Sequence, residues 1–220
     1  ARISGGVKQT GGGGKTTLAG NLGGCAGKAG QRVLLVEADP QGSALAWSSA
    51  RTVEPVFNVV AMPTSTLHRD LPSIAADYDL VVIDGAPRVN ELGRAAIMAS
   101  DLVIVPVQPS PYDVWAAADT VQLIREAQVF KADLKCAFAI SRKVANTVIA
   151  RDVKTALADL EVPVLGTALT QRVIFAESAA SGLTVIEAEP KGAAAAEVAA
   201  LACEVIPALT NKTNNRRKAA

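Results

Sequence analysis

Residues 8–17 read Lys8-Gln9-Thr10-Gly11-Gly12-Gly13-Gly14-Lys15-Thr16-Thr17 and separate a short strand-like run at 2–7 from a helix-like segment at 15–28. A glycine-rich turn at a strand-to-helix junction lets backbone amides converge on a phosphate. No Cβ blocks their approach, and the helix N-terminus adds partial positive charge. In that setting Lys15 reaches the β- and γ-phosphates of a nucleotide, and the Thr16 hydroxyl reaches Mg²⁺. Gln9 stands where the usual GxxxxGK[ST] spacing has its first glycine. A plain glycine linker is the competing reading, and Gly-Lys-Thr at this junction outweighs it.

Outward from this stretch, short β-branched runs alternate with alanine-rich segments. Strands are expected at 33–37, 56–60, 80–83, 102–107, 135–140 and, briefly, 164–167, and further helices at 43–50, 91–99, 111–130, 148–160, 173–180 and 193–209. This rhythm predicts an α/β fold, a mostly parallel twisted sheet flanked by helices on both faces, in one domain over 1–210. Several strands are apolar throughout, as strands covered on both faces are. Gly5 and Gly6 weaken pairing in the first strand. Ser110-Pro111-Tyr112-Asp113 predicts a helix start at Pro111 with the Ser110 hydroxyl as its cap. His68 falls in a polar connection and takes no role, while Trp47 and Trp115 read as packing residues.

Composition sets the bounds. With 220 residues, half of them apolar, the chain fills a sizeable core, and 22 basic against 21 acidic side chains name no partner by bulk charge. The longest apolar runs fall far short of the ~20 residues of a membrane helix. The N-terminus carries no secretory signal, so a cytoplasmic protein is expected. Cys25, Cys136 and Cys203 form no CxxC pair and read as buried reduced thiols rather than a disulfide framework or zinc site. Residues 211–220 are polar and basic, without an apolar face; a disordered tail and no membrane contact are expected.

Three further segments carry chemistry: Glu37-Ala38-Asp39-Pro40-Gln41-Gly42, the apolar run 80–83 ending at Asp84-Gly85, and Val105-Pro106-Val107-Gln108-Pro109-Ser110. Together with the glycine loop, they make the chain resemble the ParA/MinD family of deviant Walker ATPases over about residues 3–206. It looks most like the short, ParF-like plasmid-partition type. The resemblance implies a P-loop fold, ATP and Mg²⁺, and a nucleotide site built from Thr10, Gly11, Gly12, Gly13, Gly14, Lys15, Thr16 and Thr17. Arg142 and Gln171 are implied near the base. Thr16, Asp84 and Glu37 are implied at the metal, with Lys15, Asp39 and Glu37 catalytic and Asp39 orienting the attacking water. Asp39-Pro40 also reads, more simply, as a turn initiator.

The resemblance further implies an ATP-dependent sandwich homodimer that binds DNA without sequence preference, through Arg172, Lys143, Arg216 and Arg217. Such binding is phosphate-driven and salt-sensitive. A ParB-like centromere-binding protein or cargo adaptor is the implied partner, and the nucleoid the implied location. The cargo is plasmid or chromosomal DNA, or alternatively a protein assembly such as a carboxysome or chemoreceptor cluster. Two positions depart from the family. Thr10 stands where the family has its signature lysine, which some carboxysome-positioning relatives also lack, and Glu37 replaces the first aspartate. A hydroxyl cannot supply the lysine's charge, so weakened, slow hydrolysis is expected.

Overall fold

A computed structural model describes residues 2–6, 14–86, 90–143 and 149–206. In chain order the elements are β1 (Arg2–Gly6), α1 (Lys15–Lys28), β2 (Val33–Glu37), α2 (Ser43–Ser49), β3 (Asn58–Ala61), α3 (Leu67–Ala75), β4 (Leu80–Asp84) and α4 (Glu91–Ala99). They continue with β5 (Leu102–Val107), α5 (Pro111–Gln128), β6 (Lys135–Ile140), α6 (Ile149–Ala158), α7 (Ile174–Ala180), α8 (Val185–Ala188) and α9 (Ala193–Val205). The six strands form one sheet in the order β3-β2-β4-β1-β5-β6. Every pairing is parallel.

Alternation within the apolar strands sorts their side chains into cores on opposite faces, because successive residues point to opposite sides of a sheet. Val33, Leu35, Leu80 and Val82 pack with α1 and α9. Leu34, Val36, Val81 and Ile83 pack with α3 and α4, while Val103, Val105 and Phe138 join α5 and α6. The α/β sheet covered on both faces is the architecture expected from the sequence. α1 sits tightly in its layer: a Cβ on Gly27 would lie 2.3 Å from the Val56 carbonyl oxygen, and one on Gly24 2.6 Å from Thr184. Glycine is what admits that approach. β1, for all its glycines, pairs on both sides, with β4 and β5.

Four local expectations are corrected. The segment around His68 is α3 rather than a connection, with Leu67, Leu71 and Ala75 buried at four-residue spacing and His68 exposed. Residues 164–167 form no strand of the sheet. Val164 makes an isolated bridge to Phe138, and the amides of Gly166 and Thr167 go instead to the Glu204 carboxylate of α9, at 2.8 Å each. The helix after Ser110 begins at Pro111, but the serine hydroxyl makes no capping bond. Trp47 stacks on Phe57 at 5.5 Å, whereas Trp115 is 66% exposed and meets Tyr112 edge-on. The three cysteines are free and half-buried, and burial pushes the Cys25 thiol up to about 11. The helix α8, with its Thr184–Glu187 capping box, is too short to show a period and was not anticipated.

Candidate functional site

Parallel strands end together, and here the register sets Gly6, Asp84 and Glu37 side by side at the carboxyl edge of β1, β4 and β2. Loops leaving this edge, where the strand order reverses, are where open α/β sheets bind ligands. α1 starts here. Its preceding residue, Gly14, takes the left-handed φ of 78° that L side chains resist, no side chain among the described residues caps the helix, and its first turn holds no acid. An uncapped helix N-terminus flanked by Lys15 and Thr16 suits an anion.

Asp84 faces it. The Thr16 hydroxyl donates to Asp84 Oδ2 at 2.6 Å, and Oδ1 is buried with no hydrogen-bond partner among the described residues. Burial pushes this carboxyl up to about 6, against the Thr16 hydrogen bond and the charge of Lys15, while the charges of Glu37 and Asp39 push it further. A buried carboxylate oxygen without a hydrogen-bond donor, beside a threonine hydroxyl, offers the oxygen ligands that a hard cation such as Mg²⁺ takes, while the Lys15 ammonium suits the phosphates.

The neighbouring strand end is arranged differently. Glu37 is wholly buried, with Oε1 accepting the Ala44 amide and Oε2 the Leu45 amide, both at 2.9 Å. These are contacts of a helix cap at α2, not those expected of a group on the metal. Asp39 lies in the intervening turn: its Oδ1 accepts the Gln41 amide at 3.0 Å and its carbonyl the Gly42 amide at 3.2 Å. The turn reading of Asp39-Pro40 therefore holds, at the edge where a water-orienting acid was expected.

Arg142, Lys143, Gln171 and Arg172 form a second group. The Lys143 amide donates to Leu169 O, and the Gln171 amide to Lys143 O, each at 3.0 Å, so the two segments expected near the base run side by side. Arg142 is exposed and has a left-handed φ of 50°. Arg172 pairs with Glu197 of α9 at 2.9 Å, and Glu197 also takes the amide and hydroxyl of Thr170. Burial raises the Glu197 carboxyl, but the hydrogen bonds from Arg172 and Thr170 outweigh it and hold it below its ordinary value. Thr10, Gly11, Gly12, Gly13, Arg216 and Arg217 lie outside the described residues.

Beside Thr16 and Thr17 opens a cavity of about 380 Å³, bordered by Asn21, Ser43, Trp47 and Phe175. Behind it is a network that the sequence did not reveal. Asn21 donates to Thr17 O and accepts from the Val185 amide, tying α1 to α8. Arg51, just past α2, pairs with Glu187 and donates to the carbonyls of Val53, Glu54 and Gly182. Burial raises the Glu187 carboxyl, and the Arg51 and Thr184 hydrogen bonds overcome that and hold it low. No spacing signal announces such contacts, since Asn21 and Val185 are 164 residues apart.

A parallel sheet with a Gly-Lys-Thr helix start facing an aspartate at a neighbouring strand end defines the P-loop nucleoside triphosphatases. The profile of the CobQ/CobB/MinD/ParA nucleotide binding domain matches residues 7–185, and the chain belongs to this family. It is 31% identical over 203 residues to "Maintenance of carboxysome distribution protein A" of Halothiobacillus neapolitanus, covering 90% of this chain and 93% of that one. It is 27% identical over 232 residues to the chromosome-partitioning ATPase Soj of Thermus thermophilus, covering 91% and 93%. Among solved structures, the septum site-determining protein MinD of Pyrococcus horikoshii, complexed with Mg-ADP, superimposes with a TM-score of 0.73 at 20% identity, over 93% of this chain and 96% of that one. Among the described residues no helix is long and apolar enough to cross a membrane.

Proposed function

We propose that the chain is an Mg²⁺-dependent ATPase that closes into an ATP-bound homodimer, binds DNA without sequence preference, and moves cargo over it with an adaptor protein. The observation that carries this reading is the Thr16–Asp84 bond, with the second Asp84 oxygen free of a hydrogen-bond donor among the described residues and the α1 N-terminus beside it. Lys15 and the amides from Gly12 to Thr16 hold the phosphates. Thr16 holds the metal directly, and Asp84 holds it through water. A Mg²⁺ held by these residues would supply neutralisation of the phosphate charge. Asp39 orients the water that attacks in line.

Arg142 and Gln171 border the base, and Arg172, Lys143, Arg216 and Arg217 supply DNA contacts; Arg172 leaves Glu197 to do so. DNA partition is the first reading of the cargo, supported by the Soj relative. A protein assembly is the second, supported by the 31% identity to a carboxysome distribution protein and by Thr10. The test is sizing by light scattering with ATP or ADP, with and without DNA, at low and high salt. Dimers in ATP alone that gain salt-sensitive DNA affinity are expected; nucleotide-independent size and no DNA binding would overturn the cycle. A centromere-bearing plasmid recruited by the adaptor distinguishes the first cargo from the second.

A further inference from the structure

We propose that Glu37 is a positioning residue: it anchors the N-terminus of α2 and thereby fixes the Asp39 turn, and it takes no part in holding the metal. This rests on the reading of Asp39 given above. Both Glu37 oxygens are already satisfied by charge-assisted bonds to the Ala44 and Leu45 amides, at the positive end of α2. Glu37 is 0% exposed, so no water bridges it to a cation without displacing one of those amides. Asp84, its partner in register, has one oxygen without a donor among the described residues.

Only residues 38–42 separate the anchor from the helix it holds. Within them the Ala38 amide is tied to the Asp84 carbonyl at 2.9 Å, and Asp39 folds onto Gln41 and Gly42. The turn carrying Asp39 is therefore held from three directions, and Glu37 supplies the one that reaches α2. The added methylene of glutamate, relative to aspartate, provides the reach to two successive amides. An aspartate at 37 leaves at least one of them unbonded.

The test compares E37Q and E37D with the parent chain, using amide exchange without nucleotide, Mg²⁺ titration of a fluorescent ATP analogue, and steady-state hydrolysis. The Ala44 and Leu45 amides are protected in the parent and exchange at least ~10-fold faster in both variants, since each has lost a bond that shielded them. The kcat falls about 10- to 100-fold, as a displaced catalytic group predicts, while KM for ATP and the Mg²⁺ half-saturation stay within about twofold. A tenfold rise in the Mg²⁺ requirement of E37Q would overturn the proposal. So would full activity in E37D, or unchanged protection of the two amides. If one variant fails to fold, the other and the parent's own exchange pattern carry the test. A parent chain that binds no ATP would refute the proposed function, while the exchange data still decide the anchor.

Discussion

Asp84 and Glu37 end adjacent strands, sit opposite each other in register and are equally buried, yet their surroundings are opposite in kind. Glu37 has a backbone amide on each oxygen, whereas Asp84 has one hydroxyl and, among the described residues, no donor on its second oxygen. Burial taxes any ionised carboxylate, and hydrogen bonds to the charged form offset that. The comparison teaches that a buried acid by itself marks nothing. An acceptor without a hydrogen-bond donor among the described residues points to a ligand where, as at Asp84, a threonine hydroxyl and a helix N-terminus stand beside it.

The largest expected effect breaks the Asp84 side of this pair. Asp84→Asn lowers Mg²⁺-dependent ATP affinity about 10- to 100-fold, the loss seen when a group that orients a metal's surroundings is removed. Calorimetric titration of ATP at fixed Mg²⁺ measures it, and unchanged affinity would remove Asp84 from the metal site. Next comes the support behind α2. Arg51→Met leaves Glu187 buried without its cation, with the two side chains only 5% and 7% exposed in the parent, and costs about 3 kcal/mol of stability by urea unfolding. A cost no greater than that of an exposed pair would show the network to be dispensable.

The smallest effect sharpens the comparison through pH in the nucleotide-free protein. The Asp84 carboxyl is raised from 3.8 to about 6, so the folded chain binds a proton that the unfolded chain has released. Its contribution to stability is full below about pH 4 and is lost as pH rises through about 6. The difference between the parent and D84N in urea unfolding, measured from pH 4 to 7, therefore declines across that window. A flat difference would show Asp84 to be ionised throughout.

Much of the fold was readable because the central strands are buried on both faces, which turns 33–36 and 102–107 into unbroken apolar runs. α3 was not, since Pro72 and the exposed His68, Arg69 and Asp70 obscure its three buried positions. The strand expected at 164–167 stops at a single bridge because the Leu165 amide still reaches Phe138 but those of Gly166 and Thr167 are satisfied by Glu204, a carboxylate 38 and 37 residues further on. At the site, Thr16 and Asp84 were legible as residue types in a known pattern. The contacts of Glu37 were not, because an acid that caps a helix and an acid near a metal are the same letter in the sequence.

α2 is short, and it is fastened beyond both ends. Glu37 grips its first amides, and Arg51 binds Glu187 and the Gly182 carbonyl. Such an element cannot fray from one side alone. Residues 37–51 and 182–187 are thereby tied to one another, and native-state amide exchange is expected to show them opening together rather than the Asp39 turn alone.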